Sequence, residues 1–285
     1  MRNSLLIVLS LCFAASCATP RTSFASPQAA VQALVDSAHD PKLTEQLLGP
    51  GGFEMLRSGD PEADRRDVAL VRELIQQKVD FVEQRDGVMI AMLGKDAWPL
   101  PLPLVREGKG WCFDVEAGRE EMLRRRIGRN ELYAIAALRA CVVAQHEYAA
   151  VGRDGNAASF ARAFRSSPGR HDGLHWPATV GQPASPLGEL LADAADAKAF
   201  HGYRFRILTA QGKAAPGGAR SYLDAQGVLR TGFAVVAWPE SYGETGIKTF
   251  VVNQQGIVFE SDLGSGGAAE VQAYNPDESW DPVRG

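Results

Sequence analysis

The stretch GRNELYAIAALRACVVAQHEYAA, residues 128–150, decides how this chain folds. Ala134, Ala137, Leu138, Cys141 and Val142 fall at i, i+3, i+4, i+7 and i+8, an apolar stripe of helical period. A helix with one greasy face must bury it against another layer. Strand-like segments follow the stretch and offer that layer, so it predicts the spine of a second domain. Upstream, Glu116 to Ile127 is charge-rich and also helical in character, with Gly128 expected to break it from the spine. Arg124, Arg125, Arg126 and Arg129 cluster there, with Glu116, Glu120, Glu121 and Glu131 within helical reach as partners. A charge-laced helix is the plain reading, and an anion or lipid-headgroup patch is the alternative.

Downstream, residues 152–185 are rich in Gly, Ser and Pro, with one short helix expected at Ala157–Arg165. Leu187–Ala199 is a further helical candidate. Strands then return as YRFRILTA (203–210), GFAVVAWP (232–239), KTFVVN (248–253) and GIVFES (256–261). Asn253-Gln254-Gln255-Gly256 joins the last pair as a hairpin. After Gly264 the tail is Gly-rich, and Trp280 is expected to dock.

Ahead of the spine, Ser26-Pro27 and Asp60-Pro61 each read as an N-cap followed by an N1 proline. Helices are expected at 27–39, at 41–48 and from Pro61 onward, with Gly49-Pro50-Gly51-Gly52 as a stop. The period then changes from helical to alternating. Asp80–Gln84 and Val88–Leu93 flank the hairpin turn Asp86-Gly87. Leu100–Val105 and Trp111–Val115 flank Glu107-Gly108-Lys109-Gly110, and prolines 99, 101 and 103 demote the first of these two strands to an edge. The expected architecture is α+β in two domains: helices on a curved antiparallel meander, followed by a long helix packed on a second antiparallel sheet. The divisions are 1–25 for a signal peptide and polar tether, 26–117, and 118–285.

Helices followed by such a meander resemble the nuclear-transport-factor-2-like and cystatin-like folds over residues 26–117. One long helix followed by antiparallel strands, above all IKTFVVNQQGIVFE (247–260), resembles the globular half of type IV pilins and pseudopilins. Here a domain precedes the helix, which departs from the assembly stalk of that group. More specific are SGDPEADR (58–65), GKDAWPLPLPLV (94–105), GREEMLRRRIGRNEL (118–132), GRHDGLHWP (169–177), HGYRFRILTAQG (201–212) and GFAVVAWPESYG (232–243). Together they resemble a bacterial family known as domain of unknown function 2950. That resemblance implies an exported envelope protein and no particular activity. Cys112 stands where the family would have a basic residue.

The leader carries the clearest functional signal. Met1-Arg2-Asn3 is a short positive start, and Ser4–Ala15 is an apolar run too short to anchor as a span. Ala14-Ala15-Ser16-Cys17 resembles a lipobox, which makes Cys17 the expected lipidation site, and Ala18 after it points to an outer membrane. Acyl chains hold firmly, at about 0.8 kcal/mol per buried CH₂. Plain secretion, with cleavage after Ala18 or Ala25, is the alternative. The expected location is the periplasm. The partners are the membrane, through the lipid, and another envelope protein. A formal net charge of −4 argues against non-specific nucleic-acid binding. With 45% hydrophobic and 22% charged residues the chain can bury cores without staples. Cys112 and Cys141 therefore read either as small buried hydrophobes or as a disulfide that the periplasm would permit.

Candidate chemistry centres on His171-Asp172-Gly173-Leu174-His175, two imidazoles and a carboxylate within five residues. The surrounding Gly and Pro residues predict a loop, in which that spacing guarantees nothing. Trp176 is expected to pack on the sheet, and His201 is the one distant imidazole that could complete a set. The candidate binding residues are thus His171, Asp172, His175, Trp176 and His201, with no metal or cofactor assigned. His146-Glu147 begins like a zinc-protease signature, but residue 150 is alanine. Asp96 at a strand end reads as a turn carboxylate or as the mouth of a pocket. There is no Gly-x-Ser-x-Gly, Walker or Gly-x-Gly-x-x-Gly motif. The expected role is a non-catalytic binding or scaffolding module. The alternatives are a small-ligand pocket in the first domain and a hydrolase or metal-dependent enzyme with a dispersed His/Asp site.

Overall fold

A computed structural model describes residues 22–57, 61–153, 157–181, 183–189, 191–192 and 199–284. The leader with Cys17, the Asp60 cap and most of the helix expected at 187–199 lie outside these residues. The chain divides into two compact units, Met1–Met122 and Leu123–Gly285. Helices and antiparallel sheets occur in both, an α+β fold.

In the first unit the chain runs α1 (Pro27–Ser37), α2 (Pro41–Leu48), α3 (Gly52–Met55), α4 (Pro61–Gln77), then β1 (Val79–Arg85), β2 (Val88–Leu93), β3 (Trp98–Pro99), β4 (Leu104–Glu107) and β5 (Gly110–Phe113). The Ser26 hydroxyl accepts from Ala29 N–H, and the Asp40 carboxylate accepts from Lys42 and Leu43 N–H. Each cap is followed by an N1 proline, whose missing donor costs nothing there. Helical spacing ends at Gln77, so Val79 and Val82 belong to β1. The sheet order is β1-β2-β4-β5, with β3 also paired to β2. β4 is therefore internal, contrary to the edge position expected for the proline-rich strand. Proline cannot donate to a ladder. The chain leaves the sheet through Leu100–Pro103 and rejoins at Leu104, where no proline remains. Phe24 exchanges two backbone hydrogen bonds with Trp111 at 2.8 Å each, so the expected tether ends as a cover on the β5 edge. Ala91, Leu93 and Leu104 are fully buried, and Val31, Leu34, Leu102 and Phe113 pack with them.

The spine is part of α5 (Val115–Ala149), a 35-residue helix that Gly128 does not interrupt. Glycine in a helix interior costs about 1 kcal/mol relative to alanine. That is too little to break a helix whose face is buried. In the second unit follow β6 (Ala163–Arg165), β7 (Gly173–His175), β8 (Tyr203–Leu208), β9 (Ala210–Gln211), β10 (Arg220–Ser221), β11 (Ala234–Pro239), β12 (Thr249–Asn253), β13 (Val258–Ser261), a 3₁₀ turn at Gly267–Glu270 and β14 (Asp281–Pro282). The main sheet has the order β14-β13-β12-β11-β8, antiparallel throughout. All five stripe residues of α5 are buried, in one core with Phe205, Val235, Val236, Phe250 and Val252.

Polar side chains fix the register of helix on sheet. Asn130 Nδ2 donates to Thr245 O at 2.9 Å, and Glu131 Oε1 accepts from Ile247 and Lys248 N–H at 3.0 Å each. The tail docks as expected, with Val271, Tyr274 and Trp280 against the core. Cys112 and Cys141 are both buried and not joined in a disulfide, and burial pushes the Cys141 thiol up to about 12. No helix among the described residues is long and apolar enough to cross a membrane.

Candidate functional site

Gln145 organises the region after α5. Its side chain is fully buried, a costly place for an amide unless both ends are bonded. Nε2 donates to Ala161 O and Oε1 accepts from Ala161 N–H, both at 2.8 Å. That pair seats the segment expected to be helical at 157–165, which instead runs extended into β6. Helical hydrogen bonds give way here to this amide clamp and to a parallel pairing of β6 with β7. The pairing also converts part of the expected His171–His175 loop into strand. Gly173 permits it, because a Cβ there would lie 2.5 Å from the Arg165 carbonyl carbon.

The candidate residues separate within this framework. His171 keeps its ring edge-on to Trp176, with centroids 4.7 Å apart, and its carbonyl accepts from the Tyr148 hydroxyl at 2.7 Å. The Asp172 carboxylate accepts from Ser167 N–H at 2.7 Å and from its hydroxyl at 2.9 Å, with Arg170 Nε 3.5 Å away. Burial pushes its pKa upward, but the Ser167 bonds and the Arg170 charge outweigh that and hold it below the usual carboxylate value. His175 points inward, its Nδ1 3.0 Å from Leu187 O and 3.1 Å from Ser185 Oγ. Trp176 is buried and donates from Nε1 to Pro183 O at 3.0 Å.

His201 lies elsewhere. It has φ 47° in a tight turn with Gly202, and its ring stacks on Tyr133 at 4.1 Å. Tyr133 and Tyr148 are fifteen positions apart on α5, about 22 Å at 1.5 Å per residue. The structure brings His171 and Asp172 together and leaves His201 far from them, so the five residues do not form one set. Among the described residues no three His, Cys, Asp or Glu groups converge as metal ligands. His146, the other motif residue, sets Nε2 3.0 Å from Gln254 O and so ties the helix to the β12–β13 hairpin.

What His171 and Asp172 share is a cleft of about 530 Å³. Arg153, Arg162, Arg170 and Arg230 line it, with Tyr148, Phe160 and Val228 as apolar wall. Arg153 lies over the Tyr148 ring at 4.9 Å and over the Trp176 ring at 5.0 Å. Arg230 Nε pairs with Asp224 at 2.7 Å, and Arg162 Nη1 donates to Gly227 O at 2.9 Å. None of these arginines stands in a motif. They come from segments up to 77 positions apart, and a surplus of arginine in residues 153–170 is the one sequence signal of the cleft.

A second cavity, about 730 Å³, is lined by Glu131, Leu132, Ile135, Phe250, Glu260 and Asp281. It is larger, but Glu131 is already spent on two backbone amides. In the smaller cleft, Arg153 and Arg162 pair with no carboxylate among the described residues.

A family model described as protein of unknown function (DUF2950) matches residues 21–283. The chain belongs to that family. The match spans both units and includes every residue of the arginine-lined cleft. No curated protein and no solved structure matches the sequence. The pilin-like and nuclear-transport-factor-2-like resemblances therefore rest on the order of elements alone.

Proposed function

We propose that this DUF2950 protein is an exported envelope lipoprotein, anchored through Cys17, that acts as a non-catalytic binding module and holds its ligand in the cleft beside α5. The cleft carries the reading. Its volume suits a small molecule, and its polar groups are arranged for recognition. The Asp172 carboxylate accepts two hydrogen bonds from Ser167 and lies beside Arg170, contacts that hold it ionised and in place. His171 keeps its ring edge-on to Trp176. The leader supports the envelope location, through the lipobox-like Ala14-Ala15-Ser16-Cys17.

Two measurements test the halves of this proposal. Globomycin, which blocks lipoprotein processing, leaves an unprocessed precursor if Cys17 is acylated, and normal maturation under the drug refutes the anchor. A small-molecule screen by protein-observed NMR places binders at Val151, Phe160 and Val228. Binders that all map elsewhere refute the cleft as the ligand site.

A further inference from the structure

The four arginines of the cleft are not equivalent. Arg170 and Arg230 each face a carboxylate, Asp172 and Asp224. Arg153 and Arg162 pair with no carboxylate among the described residues. Asp172 is engaged instead by Ser167 and Arg170. Arg153 is the more constrained of the two. Aromatic rings cover its faces, and its Nε is buried without a hydrogen-bond partner. A partly buried guanidinium that meets no carboxylate among the described residues is costly to hold. What remains for a ligand is its Nη end, a planar fork that fits two oxygens on one atom. Arg162 is exposed and spends one Nη on the Gly227 carbonyl. On a chain of formal net charge −4 this is a local concentration of positive charge. Beside it stand Phe160, Val228 and Val151, the last 58% exposed.

We infer that the ligand is a small oxyanion, a carboxylate or phosphate carried on an apolar body, and that Arg153 and Arg162 recognise it. This rests on the cleft being the ligand site. The charged group sits at the two guanidiniums and supplies the counterion that the described residues do not. The apolar body covers Phe160, Val151 and Val228. The cleft is concave and of small-molecule size, which favours a soluble ligand over the headgroups of a flat bilayer.

The test titrates the full chain with phenyl phosphate and with phenol, following amide shifts and heats of binding. Phenyl phosphate binds saturably at the cleft and phenol does not. Arg162→Gln, at an exposed position, keeps the fold and weakens phenyl phosphate about tenfold, the worth of one charge-assisted hydrogen bond. Arg153→Lys retains charge but loses the fork and the stacking, and it weakens binding similarly. Raising ionic strength from about 0.05 M to about 0.5 M weakens it further.

Equal binding of phenol and phenyl phosphate in the cleft, untouched by Arg162→Gln, overturns the oxyanion and leaves the cleft as a site. Shifts from neither probe at cleft residues overturn both readings. Sedimentation with phosphatidylglycerol vesicles but not phosphatidylcholine vesicles, lost in Arg162→Gln and without phenyl phosphate binding, makes the occupant a membrane surface and overturns the soluble ligand.

Discussion

Two glycines on one helix offer a test with opposite signs. Gly118 and Gly128 both lie in α5, and each replacement by alanine gains about 1 kcal/mol of helix propensity. At Gly128 an added Cβ meets nothing within 4 Å. The gain is then kept, and the melting temperature rises by about 2–4 °C for a unit of this size. At Gly118 the added Cβ runs into Leu102 Cδ2 and comes within 3.3 Å of the Pro101 carbonyl oxygen. Leu102 is 1% exposed and cannot swing aside without disturbing the core of the first unit. Overpacking of this kind costs about 1–3 kcal/mol, so Gly118→Ala is destabilised by up to about 2 kcal/mol after the propensity gain.

The assay is thermal and urea unfolding followed by circular dichroism at 222 nm. Hydrogen exchange of residues 115–133 reports the local effect. A fall in stability for Gly128→Ala would mean that the helix is broken there, as its sequence suggested. Equal gains from both substitutions would mean that α5 does not approach Leu102 as described.

Further expectations concern the second unit. Gln145→Leu strands the N–H and C=O of Ala161, each worth about 1–3 kcal/mol when buried and unbonded. It lowers stability by about 2–4 kcal/mol and frees amides 157–165 to exchange, and unchanged protection there would count against the clamp. Gly173→Ala forces a Cβ onto the Arg165 backbone, costs about 1–3 kcal/mol and separates β6 from β7, read as lost protection at residues 163–175.

Burial and the nearby Arg129 charge hold His201 below its ordinary value of 6.5, so the fold favours the neutral ring. Its contribution is full above that value and is lost as pH falls through the folded pKa. The urea midpoint of the second unit therefore drops as pH falls below 6.5, and His201→Asn flattens the step. A midpoint that rises on acidification has the wrong sign. Asp172, also depressed, adds a later loss as pH falls below its ordinary 3.8. Native protein treated with iodoacetamide leaves Cys141 unmodified by mass spectrometry, since burial raises its pKa to about 12; rapid labelling contradicts its place in the core.

Local signals settled much of this chain. The caps at Ser26 and Asp40, the Asp86-Gly87 turn, the five-residue stripe on α5 and the four late strands each depend on near neighbours, through a hydrogen bond two or three residues away or a side-chain period. Such features are written in the order of residues. Where two local signals conflicted, packing decided. Gly128 did not end a helix whose face was buried. The proline strand became internal because the chain stepped out of the sheet at 100–103 and returned. The segment 157–165 lost its expected helix to a glutamine sixteen residues away and to a parallel partner.

The candidate site divides along the same line. His171 and Asp172 were visible as reactive residue types close together, and the structure does place them on one cleft. His175 and Trp176 turned inward, where Leu187 O and Ser185 Oγ meet the imidazole and Pro183 O accepts from the indole N–H. His201 was held in its own turn, far along α5. The arginines that give the cleft its charge could not be grouped from sequence, since a residue near 153 and one near 230 meet only after helix, clamp and sheet have formed. Periodicity and turn chemistry act over a few residues, whereas a site is a coincidence of distant ones. The sequence by itself determined the caps, the turns and most of the elements, and tertiary packing alone decided which charges would share one space.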